Sequence, residues 1–321
     1  MSEISRRALI RTGLSAGAAM LAPAVVRATV DAPAKPRAAG GVRFAHLTDM
    51  HIQPELRADD GYAAALRSLA KLDPQPDFVI TGGDHVMDSF EHRLKRVKVQ
   101  WDLYDKVLSE NLKLPVYATL GNHDVFGWGK DPTEISPATS GYGKAMALDR
   151  LRMQQTYYSF DRAGWHFVIL DNISRRDHGY FAGLDDEQTE WLKGDLAGND
   201  KPVCVVTHIP LLSACVFFDL KFDDNTYQVN DALMQREVKP LLTLLRANNT
   251  KLCLSGHIHL VDRVDYLGMT FLCNGAVCGN WWKGPRQEFP EGYGVIDIYP
   301  DGGFDHQYVD FGWRAATDAE K

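Results

Sequence analysis

Acidic, amide and imidazole side chains recur directly after short apolar runs of this 321-residue chain, and these are the residues that could do chemistry. The stretches read DMH at 49–51, GGD at 82–84, GNHD at 121–124, H at 208 and GHIH at 256–259. Imidazole binds Zn, Fe and Mn ions, and carboxylate and amide oxygens favour harder ions, so no thiolate is required. The candidate ligands are Asp49, His51, Asp84, Asn122, His208, His257 and His259. This set is too large for one tetrahedral ion and suits two metal ions that share a bridging carboxylate.

Buried strands are needed to position these ligands, and six apolar runs have the composition of such strands. They span 42–48, 77–81, 115–120, 165–170, 202–207 and 251–255. Helical patterns alternate with several of them, which is typical of a layered α/β fold. Ligands gather at the carboxyl ends of strands in such folds, so we expect the polar stretches to meet. Hairpins around 267–268 and 301–303 are expected to complete a mixed sheet or a pair of sheets.

Three helices are predicted from periodicity and capping patterns. Apolar residues recur every three or four positions over 90–108, with Phe90 in the first turn, which predicts one amphipathic helix. Asp185 is expected to cap a second helix, with Gln188 as its capping-box partner. Asp231 is expected to cap a third.

The first 28 residues have the features of an export signal rather than of a folded element. Residues 5–11 spell SRRALIR, which closely resembles the twin-arginine consensus, and a mild apolar run ending at Ala28 follows. A basic, frayed N-terminal helix is the alternative interpretation. The signal implies passage through the twin-arginine export machinery and a periplasmic or secreted location. Residues 29–40, rich in Ala, Pro and Gly, are then a linker.

The charge of the chain argues against nucleic acid as a partner. Residues 1–28 hold four arginines and one glutamate, so their removal takes the formal net charge from −7 to −10. Such a surface lacks the basic footprint that long nucleic acids require, although a metal centre would still attract a small phosphate ester. No apolar run of roughly eighteen or more residues occurs, so the sequence predicts no stable membrane span.

The five cysteines form no CxxC motif, which argues against a zinc ribbon or a thioredoxin-like site. Cys204 and Cys253 lie in apolar runs and are expected in the core. Cys273 and Cys278 could pair in an oxidising compartment, and their spacing leaves this open.

The five polar stretches together resemble the calcineurin-like metallophosphoesterase family. Its pattern is D-x-H, G-D, G-N-H-[DE], H and G-H-x-H, and each element occurs in that order between residues 43 and 260. The stretch from NGAVCGNWWKGP to PEGYGVIDI further resembles the Trp-rich C-terminal region of a bacterial, exported subgroup. The resemblance implies an α/β fold, namely a layered α/β/β/α sandwich of two mixed sheets flanked by helices. It assigns 41–262 to the catalytic core, 263–314 to C-terminal strands that complete the fold, and 315–321 to a tail.

The resemblance also implies a role for each polar residue. One metal ion would be held by Asp49, His51 and His259. The other would be held by Asn122, His208 and His257. Asp84 would bridge the two ions. His123 would not bind metal but would lie near the leaving-group oxygen, oriented by Asp124.

The implied function is hydrolysis of phosphate mono- or diesters by an exported enzyme with two divalent or trivalent ions, Fe, Mn or Zn. Two adjacent cations lower the pKa of a bridging water, and the resulting hydroxide attacks phosphorus. One alternative is a class III-like cyclic nucleotide phosphodiesterase, but the export signal disfavours a substrate that is chiefly cytoplasmic. The other is a non-catalytic metal-binding protein, which would typically have lost ligands that this chain retains.

Several residues near the motifs have no assigned role in the family pattern. His85 follows the predicted bridging aspartate and is interpreted as a second-layer hydrogen-bonding residue, with a substrate-phosphate contact as the alternative. His46 is expected to be structural. Trp281 and Trp282 are predicted to lie in a loop, either as a wall over the metals or as core aromatics.

Overall fold

The computed structural model of the chain describes residues 40–316, apart from 130–134, 219, 221 and 224. The predicted export signal, nearly all of the predicted linker and most of the predicted tail lie outside these residues. Among the helices that are described, none combines the length and the apolar character needed to cross a membrane.

The described residues form five α-helices and fifteen strands. The helices are α1 (Ala58–Leu69), α2 (Leu94–Asn111), α3 (Ala145–Leu151), α4 (Asp186–Leu196) and α5 (Val238–Ala247). The strands are β1 (Val42–Leu47), β2 (Phe78–Thr81), β3 (Val116–Ala118), β4 (Tyr158–Arg162), β5 (Trp165–Ile169), β6 (Ile173–Arg176), β7 (Gly179–Ala182), β8 (Val203–Val206), β9 (Phe222–Asp223), β10 (Thr226–Tyr227), β11 (Thr250–Ser255), β12 (Val261–Tyr266), β13 (Met269–Asn274), β14 (Gly292–Ile298) and β15 (Phe304–Asp310).

Two mixed sheets dominate the architecture. One has the strand order β15-β14-β1-β2-β3, and the other has the order β12-β13-β11-β8-β5-β4. β1 runs parallel to β2 and antiparallel to β14, while β11 runs parallel to both β8 and β13. All six predicted strands are present, and the predicted hairpins are β12–β13 and β14–β15.

The side chains of each central strand alternate between two apolar layers. Phe44 of β1 points into the cluster between the two sheets, whereas its neighbour Ala45 belongs to the cluster under α1 and α2 with Trp101. In the second sheet, Val205 packs outward against Leu192 of α4. Helices therefore cover the outer face of each sheet, and the predicted α/β/β/α sandwich is confirmed.

The predicted helix at 90–108 begins later than its apolar pattern indicates. α2 starts at Leu94, and Phe90 instead packs edge-on against the ring of Tyr180, with 5.7 Å between ring centroids. The reason is local, because Asp88 Oδ1 accepts hydrogen bonds from the backbone N–H groups of Phe90 and Glu91 at 2.6 and 3.2 Å. These bonds fix a turn that competes with the first helical turn.

Of the two predicted caps, one is confirmed and one is wrong. Asp185 accepts a hydrogen bond from Gln188 N at 2.8 Å, although the Gln188 side chain bonds the backbone of Asp171 rather than returning to the cap. Asp231 does not cap α5, which begins at Val238. It forms an ion pair with Arg176 at 2.5 Å, which holds it against the β6–β7 hairpin.

A polar network crosses the interior between the two sheets. The side-chain amide of Asn274 in β13 contacts a histidine of the other sheet with each of its polar atoms. Its Nδ2 atom lies 2.9 Å from Nδ1 of His46 in β1, and its Oδ1 atom lies 2.7 Å from Nε2 of His306 in β15. Burial lowers the pKa of His46 to about 3 and that of His306 to about 4, so both rings are neutral in the folded protein. His46 is therefore structural, as predicted.

The five cysteines are free thiols in this structure. Cys204 lies between the sheets and Cys253 under α5, which confirms both as core residues. Cys273 Sγ lies 3.1 Å from the carbonyl oxygen of Gly256, and Cys278 Sγ lies 3.9 Å from His259 Nδ1, so these two side chains have separate partners.

Candidate metal centre

The seven predicted ligands meet at one edge of the sandwich, where β1, β2, β3, β8 and β11 end. Backbone hydrogen bonds draw the loops together: His51 N donates to Asp84 O, and Gly256 N donates to His208 O, both at 3.0 Å. Six of the seven side chains are buried, and His257 is partly exposed. The expectation that strand ends gather these residues is correct.

An uncommon backbone conformation turns these side chains inward. Five of the seven have positive φ angles. They are Asp49 (56°), His51 (43°), Asp84 (54°), His257 (71°) and His259 (58°). Such values cost roughly 1–3 kcal/mol each for non-glycine residues and persist where the surrounding structure enforces them, commonly at functional sites.

The first group contains Asp49, His51 and His259. His51 Nε2 lies 3.1 Å from His259 Nε2 and 3.9 Å from Asp49 Oδ1. His259 Nε2 lies 3.2 Å from the same carboxylate oxygen. Three donor atoms therefore face one small volume, which is the arrangement that a metal ion requires.

The second group contains Asn122, His208 and His257. His208 Nε2 lies 3.1 Å from Asn122 Oδ1 and 3.3 Å from His257 Nδ1. Two imidazoles and an amide oxygen thus converge, and this donor set suits a borderline or harder divalent ion.

Asp84 lies between the two groups. Its Oδ2 atom is 3.5 Å from His51 Nε2 of the first group and 3.2 Å from His208 Nε2 of the second. Its Oδ1 atom accepts a hydrogen bond from the backbone N–H of His123 at 2.8 Å. A single carboxylate therefore reaches both groups.

Backbone carbonyls orient the rings of two predicted histidine ligands. His208 Nδ1 donates to Gly82 O at 2.8 Å, and His259 Nδ1 donates to Gly279 O at 2.7 Å. Each bond points the Nε2 atom at the centre, the usual supporting pattern for metal-bound imidazole.

The electrostatics of the cluster keep its two buried carboxyl groups ionised. Burial alone would raise the pKa of the Asp49 and Asp84 carboxyls, but the nearby charges of His259 and His208 outweigh it and lower both. Asp84 in turn raises the pKa of His208 to about 9 against the opposing effect of burial, whereas burial lowers the pKa of His257 to about 3. Buried carboxylates thus hold protons on neighbouring imidazoles, and metal binding at such sites releases those protons.

Glycines are required where backbone and ligands approach closely. A Cβ atom on Gly121 would lie 2.2 Å from Asp84 Oδ1, and one on Gly256 would lie 2.3 Å from Asp49 Oδ2. Gly83 has a φ of +94°, and a Cβ there would lie 2.6 Å from His208 Nδ1. Any larger residue would displace a predicted ligand.

His123 stands at the more exposed side of the centre, beside His51. Its side chain is 29 % exposed, and its ring lies 4.7 Å from that of His51. Among the described residues, the carboxylate nearest its Nδ1 atom is Asp88 Oδ1 at 3.9 Å. Asp88 was not among the sequence-predicted residues, because no family element includes it.

Asp124 does not orient His123, which corrects the sequence-based prediction. Its carboxylate accepts hydrogen bonds from the backbone N–H groups of Gly121, Asp84 and His85 at 2.8–3.0 Å. In the described residues, no hydrogen bond joins it to the His123 ring. The reason is that the 3-10 turn at Asn122–Asp124 directs adjacent side chains apart, so Asp124 faces inward and fixes the loops that carry the centre.

His85 has the structural role that was favoured for it. It is fully buried, its Nδ1 atom lies 2.9 Å from Asp124 Oδ2, and its Nε2 atom lies 2.8 Å from Thr81 Oγ1. Both ring nitrogens have partners away from the metal ligands, so the ring supports the loop rather than a substrate.

The two adjacent tryptophans have different environments. Trp282 is buried, and its Nε1 donates to the carbonyl oxygens of Met50 and His51 at 3.0 and 3.2 Å. Trp281 is partly exposed, and its ring lies 4.6 Å from that of His259. The loop prediction is correct: Trp282 is a core aromatic, and Trp281 lies beside a predicted ligand.

Comparison with known proteins agrees with this geometry. The calcineurin-like phosphoesterase family pattern matches residues 42–261, and the chain belongs to that family. It is 29% identical over 169 residues to purple acid phosphatase 15 of Arabidopsis thaliana, a region covering 51% of this chain and 28% of that phosphatase. The chain thus matches about a third or less of the length of such curated relatives.

Solved structures share the fold at low identity. A dimetal phosphatase from Danio rerio is 17% identical, with a TM-score of 0.57 over 84% of this chain and 96% of that one. The anchor in the inner membrane complex of Plasmodium is 15% identical, with a TM-score of 0.52 over 85% of each chain. Because proteins with such different descriptions share the fold, function must be argued from the site.

Proposed function

We propose that this protein is an exported, metal-dependent phosphoric ester hydrolase with a two-ion centre. The observation that supports it best is the position of Asp84, whose Oδ2 atom lies 3.5 Å from His51 Nε2 and 3.2 Å from His208 Nε2. A shared carboxylate between two sets of donors is the arrangement that a pair of adjacent cations needs.

The residues fit two ions of the Fe, Mn or Zn type. Asp49, His51 and His259 would hold one ion, and a second set would hold the other. That second set is Asn122, His208 and His257. When bound, the two ions supply a nucleophile from water near neutral pH and neutralise the phosphoryl oxygens.

His123 would donate a proton to the leaving-group oxygen, since it is the partly exposed histidine beside the predicted ligand His51. Trp281, whose ring lies beside those of His259 and His51, would pack against the organic part of the ester.

The direct test is turnover by purified protein reconstituted separately with Fe, Mn and Zn. The substrates would be an aryl phosphate, a bis-aryl phosphate and a 3′,5′-cyclic nucleotide. We expect the wild-type protein to hydrolyse a monoester or a diester. Loss of a residue that only supports a metal ligand costs roughly 10- to 100-fold in activity, and Asp84→Ala should lose more than that. It should also lose bound metal, measured by mass spectrometry.

The outcomes separate the proposed function from its rivals. Preference for the cyclic nucleotide would favour a cyclic nucleotide phosphodiesterase. Wild-type protein that binds two ions but hydrolyses none of the esters would refute catalysis and support a metal-binding role. Retention of both ions by Asp84→Ala would refute its assignment as the bridge.

A further inference from the structure

The β6–β7 hairpin brings an unassigned tyrosine to the metal centre. The hairpin pairs Ile173 with Ala182 and Arg175 with Tyr180, so Tyr180 and Ala182 share one face. The Ala182 side of that face is buried in a cluster with Val125. Tyr180 therefore points along the core toward the ligand loops.

Tyr180 lies directly beside the second group of predicted ligands. Its ring is 6.4 Å from that of His257 at an angle of 80°, and the Phe90 ring packs on it from another side. Among the described residues, no group hydrogen-bonds with its hydroxyl, and the side chain is partly exposed. A tyrosine hydroxyl is a hydrogen-bond donor at neutral pH.

The hairpin that carries Tyr180 is held firmly on its outer face. Arg236 packs over the ring of Phe181 at 4.6 Å, and Arg176 pairs with Asp231 at 2.5 and 2.8 Å. Ala182 N donates to Asp231 O, and Arg236 N donates to Ala182 O.

The inner face is held as well. The Arg175 guanidinium lies over the rings of Trp128 and Tyr142 at 5.8 and 5.6 Å. At the hairpin base, Lys144 Nζ reaches the carbonyl oxygen of Ile173 at 2.5 Å. A donor fixed in this way is preorganised, and loses little entropy when it binds a ligand.

We propose that the Tyr180 hydroxyl donates a hydrogen bond to a phosphoryl oxygen of the bound ester on the His257 side of the centre. Tyr180 is then a substrate-binding residue for phosphate esters, and this inference rests on the proposed function. A hydroxyl without a protein partner in a mostly buried site has a strong preference for a ligand acceptor, and an anionic acceptor strengthens the bond. Because the Tyr180 hydroxyl is neutral, it adds no charge to the group of predicted metal ligands.

The test is Tyr180→Phe, which removes only the hydroxyl. We expect kcat/KM for a phosphate ester to fall about 10- to 100-fold, the range for a lost hydrogen bond to a charged group. Inorganic phosphate, used as a product probe, should bind more weakly by a similar factor in calorimetry. Metal content and melting temperature should match those of wild type. Tyr266→Phe, an exposed tyrosine of the β12–β13 hairpin, is the matched control and should leave all four quantities unchanged.

Each result decides between this inference and the proposed function. Tyr180→Phe with wild-type kcat/KM and wild-type phosphate binding would overturn the role of Tyr180 while leaving the hydrolase proposal intact. Loss of metal or a lowered melting temperature in this variant would also overturn it, because the hydroxyl would then be structural. Wild-type protein that neither turns over esters nor binds phosphate would instead remove the proposed function itself.

Discussion

His123 and Asp124 are neighbours in one short stretch but have opposite surroundings. His123 is partly exposed beside His51, whereas the Asp124 carboxylate is buried under three backbone N–H groups and the His85 ring. The exposed ring is available to a substrate, and the buried carboxylate stabilises the loops beneath.

Substitution of each residue should therefore affect a different property. His123→Ala should retain metal and lose about 10²–10⁴ in turnover, the usual range for a general acid. Asp124→Asn should lower the free energy of unfolding by at least about 3 kcal/mol, because several charge-assisted hydrogen bonds are lost in a buried site. Urea unfolding of the metal-free variants measures this difference. Unchanged unfolding of Asp124→Asn together with lost turnover would restore the orienting role.

Trp281 and Trp282 allow a similar contrast for specificity. Trp281→Ala should raise KM for an ester with a bulky organic group by about 3- to 10-fold, which corresponds to the free energy of one aromatic stacking contact. KM for a small aryl phosphate should change little. Trp282→Ala, the control from the core, should lower the free energy of unfolding by about 3–5 kcal/mol. An equal KM increase for both esters in Trp281→Ala would show that the ring does not select the ester.

At the scale of elements, α1 meets the candidate metal centre through Trp282. Gly61 of α1 lies under this indole, and a Cβ atom at Gly61 would be 2.2 Å from Trp282 Cζ3. The indole N–H in turn holds the carbonyls of Met50 and His51. A helix that contains no ligand thus supports the D-x-H turn.

Gly61→Ala should be destabilising even though alanine is the better helix former. The overlap with Trp282 should cost about 1–3 kcal/mol of unfolding free energy, more than the gain of about 1 kcal/mol from helix propensity. Gly194→Ala in α4 is the matched control, since nothing lies within 4 Å of its Cβ position, and it should stabilise by about 0.5–1 kcal/mol. Chemical unfolding measures both. A stabilised Gly61→Ala would contradict the close packing of α1 on Trp282.

At the scale of the whole molecule, the Asn274 network between the sheets makes stability depend on pH. The folded-state pKa of His306, about 4, lies below its unfolded value of about 6.5. The unfolded state therefore binds more protons between these values, and stability is lost as the pH falls from about 6.5 toward 4.

His306→Gln should remove part of this dependence. The slope of unfolding free energy against pH should decrease by about 1.4 kcal/mol per pH unit between pH 4.5 and 6. Urea titrations of metal-free wild type and variant over this range give both slopes. Parallel slopes would mean that His306 has the same pKa in the folded and unfolded states.

Export also concerns the whole molecule and follows from the SRRALIR stretch. Replacing both Arg6 and Arg7 by Lys should leave the protein in the cytoplasm, because the twin-arginine machinery recognises the arginine pair. Cell fractionation and immunoblotting measure the distribution. Normal periplasmic levels of the double variant would rule out this route.

The sequence by itself determined the six central strands, the polar motif that follows each of five of them, and the candidate ligands in those motifs. This was possible because alternating apolar runs and strand-end motifs are local signals, and the seven side chains do meet in the structure. Their roles as metal ligands remain a prediction. The sequence also indicated that His85 and His46 are structural and that the two tryptophans lie in a loop.

Only the tertiary structure decided the surroundings of individual side chains. Asp124 faces His85 rather than His123, and Tyr180 reaches His257 from a hairpin more than seventy positions earlier in the chain. Trp282 packs on Gly61 while Trp281 faces His259. These contacts join residues far apart in sequence, and they depend on positive φ angles and loop packing that residue periodicity does not encode.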